Sequence, residues 1–331
     1  MPLALVSVII VNYNGRSDLG ELFDSLKLQT RPADEVILVD NASTDGSADY
    51  VRQRFPWVQV IALTRNVGFA EGNNRGLAQA RGDYIALLNP DATVGEHWLA
   101  ELVRTLERDE QVAAAVPKIY RASLPLTIEQ AGAEFNNLGH SWTRGFNQPE
   151  RGQYDVPVEV PALTGCSVLL RRSALHGEEL FDSSLFMYYE EFDLSIRLRG
   201  RGYKVMYAPN AVVCHKGMQS IKRTTRQSNL QQQFYCNRNR LKILFKYYPS
   251  VLLVRNLPMI CLSVAYWDLV FLRTAGPGFC LRAMGAQLRY AVRGFRERNH
   301  ASDLNPEQWL PGMTRQRLWD VRALRVARGE T

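Results

Sequence analysis

Cysteine is scarce in this chain of 331 residues: its five cysteines are odd in number and form no C-x-x-C pair. Such spacing argues against a disulfide framework and a structural zinc site, and it fits a reducing, cytosolic setting. The apolar run at residues 5–11 is too short for the core of a signal peptide, and no basic segment precedes it. We expect the protein to stay on the side of the membrane where it is made.

Nucleotide-binding motifs of two common enzyme classes are missing as well. No G-x-G-x-x-G motif follows the first predicted strand, which disfavours a dehydrogenase. A nucleotidyltransferase would need a glycine-rich N-terminal segment with several cations for a triphosphate. Residues 11–15 have only Arg16 as a nearby cation, so this class remains a weaker alternative.

The chain also lacks a long uncharged apolar run. Residues 251–272 are strongly apolar, yet their longest uncharged stretch has 12 residues, whereas a membrane-spanning helix needs roughly 20. A full crossing is therefore disfavoured. We interpret the segment as a helix lying in the membrane interface with its arginines on lipid phosphates. A buried core helix is the alternative.

Charge is distributed unevenly along the chain. Residues 1–200 hold 18 basic and 27 acidic side chains, a net charge of −9, whereas residues 201–331 hold 22 and 6, a net charge of +16. With 46% hydrophobic residues the composition is globular and excludes disorder. The basic part contains no helix-turn-helix, zinc-finger or aromatic ribonucleoprotein motif. We therefore expect an anionic membrane surface as its partner and no nucleic acid.

The first 120 residues alternate between strand and helix patterns. Continuous apolar strands separated by amphipathic helices predict an α/β fold, with a mostly parallel sheet covered by helices on both faces. From about residue 229 the chain has a helical pattern. We expect one domain over residues 1–228, divided near residue 116, and a helical, membrane-associated region over residues 229–331.

Polar side chains follow the predicted strands, where parallel sheets bind ligands. Asp40 and Asp91 each follow an apolar strand. One carboxylate there can accept hydrogen bonds from a base or ribose, and another can hold Mg²⁺ or Mn²⁺ against a diphosphate. Taken alone, either aspartate could equally be a helix cap or a turn residue.

The ordered set of motifs resembles the family 2 glycosyltransferases of GT-A fold over residues 5–248. Asn89-Pro-Asp91, together with Tyr235, Arg238 and Asn239, is most similar to the rhamnosyltransferase branch. The motifs are VSVIIVNYNG at 6–15, VDNASTDG at 39–46, NVGFAEGNNRG at 66–76, LNPD at 88–91, LTGC at 163–166, FD at 181–182, MYYEEFD at 187–193 and HKGMQS at 215–220.

The resemblance implies a donor pocket and a metal site. Asp91 would bind Mg²⁺ or Mn²⁺ with His215 as a further ligand. Asn89 stands where the family has another carboxylate, so metal binding would depend mainly on Asp91. The remaining positions would form the pocket for the nucleotide and its sugar: Asp40 on the base or ribose, Asn12, Asn14 and Arg65 along the wall, and Gly68, Gly72 and Gly76 close to the sugar.

The resemblance also implies a general base on the acceptor side. Glu190-Glu191 replaces the family's Glu-Asp pair, whose second member is the usual base, so Glu191 is assigned that role. Because Glu is one methylene longer than Asp, Glu190 or Asp193 remains an alternative, and Asp193 could instead hold the acceptor. Without the resemblance, the cluster could simply be an acidic helix N-terminus. Three cations, Lys222, Arg223 and Arg226, could close over the diphosphate or form a solvated basic face.

The implied enzyme is an inverting, metal-assisted glycosyltransferase that adds one sugar, because the Gln-x-x-Arg-Trp signature and multiple spans of processive synthases are absent. A nucleoside-diphosphate sugar, with rhamnose the sugar of the most similar branch, would bind residues 1–116. A glycan or polyprenyl-diphosphate-linked acceptor would bind residues 117–228. We expect a cytoplasmic protein on the inner face of the cell membrane, acting in cell-surface polysaccharide synthesis. A non-catalytic sugar-nucleotide-binding scaffold is the other alternative.

Overall fold

The computed structural model describes residues 4–124, 126–217, 226–298 and 304–310. The strands are β1 (Val6–Asn12), β2 (Glu35–Asp40), β3 (Val58–Ala62), β4 (Tyr84–Leu88), β5 (Ala92–Val94), β6 (Val112–Arg121), β7 (Thr127–Gln130), β8 (Ala133–Phe135), β9 (Ser141–Thr143), β10 (Gln148–Pro149), β11 (Val158–Glu159), β12 (Ser167–Arg171) and β13 (Lys204–His215). The helices are α1 (Arg16–Lys27), α2 (Ser47–Arg54), α3 (Gly68–Gln79), α4 (Trp98–Glu107), α5 (Glu190–Gly200), α6 (Arg226–Tyr247), α7 (Ser250–Ala275), α8 (Pro277–Glu297) and α9 (Pro306–Trp309).

One large sheet forms the centre of the molecule. Over the described residues it has eleven strands, in the order β10-β7-β6-β12-β4-β1-β2-β3, and β13 pairs with β6, β5 and β11. Strands β4, β1, β2 and β3 run parallel, whereas β12 is antiparallel to both β4 and β6. All seven residues of β1 are buried, as expected for a strand covered on both faces. The predicted α/β class with a mainly parallel sheet is confirmed.

Helices cover the two faces of the sheet. Helices α1, α2 and α4 contribute to the core on one face, and α3 and α5 contribute to the core on the other. Helix α1 shows why the sequence folds this way, since its apolar residues recur three or four positions apart and therefore share one side. Those buried residues are Leu19, Leu22, Phe23 and Leu26.

Two glycines allow α3 to lie close against β1. A Cβ added to Gly76 would lie 2.4 Å from Cγ2 of Ile9, and one added to Gly72 would lie 2.8 Å from Cγ1 of Val11. The expectation that Gly72 and Gly76 lie close to the donor sugar stays a prediction. Their missing side chains serve the packing of helix on sheet.

The C-terminal helices pack against the end of the sheet that carries α5. One apolar cluster joins Phe192 and Ile196 of α5 to Leu241 and Leu244 of α6, and α8 packs along α6 and α7. Within the described residues, α7 is the one helix long and apolar enough to cross a membrane by length and composition. Only 11% of its most apolar stretch is buried.

Candidate active site

The ends of β1 and β2 bring together the first predicted donor-binding residues. Asn12 and Asp40 are register partners in the parallel pair, and both are buried. Asn12 Nδ2 donates to Asp40 Oδ1 at 3.1 Å, and the backbone N–H of Ser43 donates to Asp40 Oδ2 at 3.0 Å. The other polar atom of Asn12, Oδ1, is buried without a hydrogen-bond partner in the described structure. This pair forms a polar floor at the carboxyl ends of β1 and β2.

Asn14 lies in the loop after β1 and connects it to the loop after β2. Its φ of 55° is in the left-handed region, where Asn is tolerated better than most side chains. Its Oδ1 accepts from the backbone N–H of Thr44 at 2.8 Å, and its own N–H donates to Ser43 Oγ at 2.9 Å. Asn14 therefore joins the loops after β1 and β2 through its backbone as well as its side chain.

Gly68 and Arg65 occupy the next loop along the sheet. Gly68 has a φ of +90°, and an added Cβ would lie 2.5 Å from the Phe186 carbonyl oxygen. Asn41, which the sequence reasoning left without a role, donates from Nδ2 to the Gly68 carbonyl at 3.0 Å and so ties this loop to β2. Arg65 is exposed. Gly68 is thus required by backbone conformation and by the close approach of Phe186.

Asp91 and His215 meet at the ends of β4 and β13. His215 Nε2 lies 3.1 Å from Asp91 Oδ1, and its Nδ1 lies 2.7 Å from Glu129 Oε1. Burial alone would lower the pKa of His215. The neighbouring Cys166 thiol, Asp91 and Glu129 outweigh it, so the pKa of the imidazole lies well above its usual value. Asn89 lies in the same turn and is held by its backbone N–H, which donates to the Cys166 carbonyl at 2.9 Å.

The donor atoms of this pair fit a divalent cation. A carboxylate and an imidazole suit Mg²⁺ or Mn²⁺, and Glu129 orients the imidazole from its far nitrogen. Over the described residues, His, Cys, Asp and Glu side chains form no group of three or more that could hold a metal. The remaining ligands would therefore be diphosphate oxygens and water, which is the usual coordination of Mg²⁺. A bound cation would displace the proton that His215 otherwise holds.

Glu190 and Glu191 begin α5 as a buried carboxyl pair. One oxygen of each, Oε2, is buried without a hydrogen-bond partner in the described structure. Burial, and then the adjacent Glu191, raise the pKa of Glu190 well above its usual value, and burial raises that of Glu191. Buried carboxyls with raised pKa values are candidates for general acid or base chemistry.

One short loop connects the carboxyl pair to the metal pair. A Cβ added to Gly165 would lie 2.9 Å from Glu191 Oε1, and the next residue, Cys166, lies against His215. Consecutive Cα atoms are about 3.8 Å apart, so this loop has Glu191 beside one residue and His215 beside the next. Leu163-Thr-Gly-Cys166 is one of the motifs that resemble the family, but the sequence alone assigns it no role. Its position in the ordered set of motifs is the feature that could have pointed to the site.

Asp193 is not available for the role predicted for it. It is 1% exposed. Its carboxylate is bonded to Arg197 Nε at 2.9 Å, Lys246 Nζ at 3.2 Å and the Tyr247 hydroxyl at 2.7 Å. Although burial alone would raise its pKa, Lys246 and Arg197 hold it well below the usual range. Because the carboxylate is buried among two cations and a hydroxyl, the prediction of Asp193 as a base or acceptor ligand is wrong; it joins α5 to α6.

The basic segment after His215 lies largely outside the described residues. This applies to Lys222 and Arg223 and to the side chain of Arg226. Lys216 is described, and its Nζ bonds Asp18 at 3.0 Å and Glu21 at 2.7 Å on α1. The end of β13 is thereby anchored to the N-terminal part of the sheet.

The sequence is similar to those of known glycosyltransferases. The sequence model of the family described as "Glycosyl transferase family 2" matches residues 7–177. The N-acetylglucosaminyl-diphospho-decaprenol L-rhamnosyltransferase of Mycobacterium tuberculosis is 29% identical over 232 residues, which are 64% of this chain and 76% of that protein. The O-antigen biosynthesis protein RfbC of Myxococcus xanthus is 27% identical over 62% of this chain and 17% of its own length.

Solved structures share the fold. GalNAc-T7 with UDP, GalNAc and Mn²⁺ superposes with a TM-score of 0.58 at 20% identity, over 75% of this chain and 49% of that one. The mannosyltransferase PcManGT of Pyrobaculum calidifontis, in complex with GDP-Man and Mn²⁺, has a TM-score of 0.54 at 20% identity, over 87% and 75%.

Fold and site together define a glycosyltransferase with a GT-A fold. The chain belongs to glycosyl transferase family 2, because the family match spans more than half of it.

Proposed function

We propose that this enzyme moves one sugar, with inversion, from a nucleoside-diphosphate sugar to a glycan on a polyprenyl-diphosphate carrier. The observation that carries the proposal is the loop Gly165-Cys166, which has Glu191 beside its first residue and His215, the partner of Asp91, beside its second. The space next to this loop is the proposed cleft. A displacement with inversion needs a base on the acceptor side and charge stabilisation on the leaving-group side. These two groups supply both requirements. The rhamnosyltransferase similarity favours rhamnose as the sugar.

In the proposed reaction, the acceptor hydroxyl oxygen attacks the anomeric carbon, and its proton passes to Glu191. The new carbon–oxygen bond forms as the bond to the diphosphate breaks, and the nucleoside diphosphate leaves with the electron pair. Glu190, whose pKa is raised the more strongly, stays protonated beside it. Asp40 and Asn12 hold the nucleoside through the polar floor described above, and Asn14, Arg65 and Gly68 form its surroundings.

A divalent cation would complete the donor site. Bound by Asp91 and His215, Mg²⁺ or Mn²⁺ would neutralise charge on the departing diphosphate. Asn89 leaves the site one carboxylate short of the family pattern, so we propose that cation binding is weak without the nucleotide. The Mn²⁺ found with both structural neighbours supports this proposal.

Helix α8 is our proposed contact with the inner face of the membrane. Its exposed apolar residues recur every three or four positions and so share one side. A parallel row of arginines follows one position later, as in helices that lie on anionic bilayers. The apolar row is Leu281, Met284, Leu288, Val292 and Phe295, and the arginine row is Arg282, Arg289, Arg293 and Arg296.

The same helix contacts the loop that leads into α5, which supports a lipid-linked acceptor. The hydroxyl of Tyr290 in α8 donates to the Ser184 carbonyl at 2.7 Å, six residues before Glu190. A sugar attached to a membrane carrier would thus meet the cleft beside the helix that touches the membrane. In this proposal residues 1–116 bind the donor, residues 117–228 bind the acceptor, and residues 229–331 rest on the bilayer.

A donor screen tests the reaction. We would incubate purified protein with UDP-, dTDP- and GDP-sugars and N-acetylglucosaminyl-diphospho-polyprenol, with Mn²⁺ or with EDTA. We expect transfer from one donor that EDTA abolishes and Asp91→Ala sharply reduces. No turnover and no binding with any donor would overturn the proposal. Unchanged activity in Asp91→Ala would remove the proposed metal site.

Vesicle flotation tests the membrane contact. We expect the protein to float with vesicles containing anionic phospholipid and to float less with neutral ones. Leu288→Glu, at a position 67% exposed on α8, should reduce flotation, whereas Leu28→Glu, at a position 66% exposed after α1, should not. Equal flotation of the two variants would contradict the assignment of α8.

A further inference from the structure

The loop that leads into α5 has a conformation that needs external support. Phe186, Tyr188 and Tyr189 have φ values of 67°, 67° and 75°, although none is glycine. Side chains rarely occupy this region, and each such residue costs about 1–3 kcal/mol. Tyr189 is also the N-cap of α5, so the strained residues directly precede the Glu190–Glu191 pair.

Asn239 of α6 bonds the backbone of this loop. Its Nδ2 lies 3.0 Å from the carbonyl oxygens of Leu185 and Met187 and 2.7 Å from that of Tyr188. Its side chain is fully buried. The two N–H groups of the Asn239 amide are thus shared among three carbonyl oxygens of the loop. This fixes the direction in which those peptide groups point.

Neighbouring contacts brace the amide itself. Arg238 Nε donates to Asn239 Oδ1 at 3.1 Å, and Arg238 Nη2 donates to the Leu185 carbonyl at 3.0 Å. Lys242 Nζ donates to Oγ of Ser184, the residue before Leu185, at 2.8 Å. Of these three side chains, only Asn239 donates to carbonyls between Phe186 and Tyr189, namely those of Met187 and Tyr188.

We propose that Asn239 is a positioning residue: by holding the carbonyls of Leu185, Met187 and Tyr188, it keeps the loop in its left-handed conformation and aims Glu191 into the cleft. This inference rests on the proposed role of Glu191 as the base. Without the amide, the peptide groups would relax to negative φ, and the first turn of α5 would shift. A displacement of about 1 Å at a reacting group can lower the rate about 10²-fold.

Asn239→Leu is the test variant, and Asn237→Leu is its matched control. Asn237 is on the same helix and is 5% exposed, but its Nδ2 bonds the Gln233 carbonyl within the helix at 2.8 Å. Both variants lose one buried amide, so a general loss of stability affects both. We expect Asn239→Leu to lower kcat about 100-fold and Asn237→Leu to lower it less than about threefold.

Further measurements separate positioning from folding. With whichever UDP-, dTDP- or GDP-sugar the wild type uses, kcat should change more than the KM for the donor in Asn239→Leu, because Asp40 and Asn12 lie on β2 and β1, although Gly68 contacts Phe186 of this loop. Amides of residues 186–191 should exchange hydrogen faster in this variant than in the control. Asn239→Ser, which leaves room for a bridging water, should recover part of kcat. Equal kcat in the Asn239→Leu and Asn237→Leu variants would overturn the inference.

Glu191→Gln distinguishes this inference from the function on which it rests. If Glu191→Gln stays active, the proposed base is wrong, whatever Asn239 does. If Glu191→Gln is inactive while Asn239→Leu behaves like its control, the base stands and the positioning role of Asn239 is refuted.

Discussion

The first turn of α5 places three carboxylates in opposite environments. Glu190 and Glu191 each keep a buried oxygen without a partner in the described structure. Asp193, which is 1% exposed, has two cations and a hydroxyl around it. Burial is shared, so partners decide the difference: the pKa values of the glutamates are raised, and that of Asp193 is lowered.

This contrast separates a reactive group from a structural one. An unpartnered buried carboxyl is costly, since its charged form has lost water and gained nothing. Such a group takes up a proton readily, as a base must. A buried carboxylate with full partners resists protonation and contributes to stability as long as its partners remain. Helix α5 carries both kinds within four residues, and α6 supports both through Asn239 and Lys246.

The largest effect should come from Glu191→Gln. An amide cannot accept the acceptor proton, so we expect kcat to fall about 10²- to 10⁴-fold, the range for general base catalysis. Donor affinity, measured by calorimetry with the nucleoside diphosphate, should not change. Glu190→Gln is the matched control, and because it mimics a protonated glutamate it should cost less than about tenfold in kcat. A greater loss in Glu190→Gln than in Glu191→Gln would make Glu190 the base.

Asp193→Asn should instead affect stability. It leaves Lys246 and Arg197 buried beside a neutral amide, and breaking a buried ion pair in this way costs about 3–5 kcal/mol. We expect that loss in the free energy of unfolding by urea, with kcat of the folded protein within about tenfold of wild type. Glu191→Gln should change the same free energy by less than about 1 kcal/mol. Comparable stability losses in the two variants would erase the contrast.

The pH dependence should separate the two kinds of carboxyl by sign. Asp193 has a lowered pKa, so its stabilisation is complete above its unfolded value of about 3.9 and is lost as the pH falls towards the folded value. The glutamate pair has raised pKa values, so its contribution to stability declines as the pH rises above about 4.3.

Activity should follow the pair and not Asp193. Since Glu191 must be ionised to act, the acid limb of kcat/KM should lie above the ordinary glutamate pKa of about 4.3. A mildly acidic window should therefore exist in which the protein is folded and inactive, and parallel urea and rate measurements would detect it. An acid limb at the ordinary value would mean that water reaches the pair during turnover.

Much of the fold and the donor side of the site could be predicted from sequence, because local patterns determine them. Buried strands have continuous apolar residues, and polar residues at their ends, such as Asn12 and Asp40, must meet at one edge of a parallel sheet. The same logic placed Asp91 at the end of β4. These inferences need only the order of strands along the chain.

The remaining features depend on contacts between distant segments. Asp193 looked like part of an acidic cluster because Lys246 and Tyr247, its partners, are more than fifty residues away. The family resemblance places Gly76 close to the sugar, whereas the contact that requires a glycine there is with Ile9 across the helix–sheet packing. Such roles are fixed by packing, which spacing along the sequence does not encode.

The smallest expected effect isolates one bond of the Asp193 network. Tyr247→Phe removes the hydroxyl that donates to Asp193 Oδ1 at 2.7 Å. Bonds to charged groups contribute about 1.5–3 kcal/mol, and we expect a loss at the lower end because Lys246 and Arg197 remain. Tyr248→Phe is the control, since that hydroxyl donates to the neutral Asn136 carbonyl at 2.8 Å. The Tyr247→Phe loss should shrink only as the pH falls towards the lowered pKa of Asp193 in the folded protein, whereas the control loss should not vary; matching pH profiles would show that Asp193 is not the charged partner that the contrast requires.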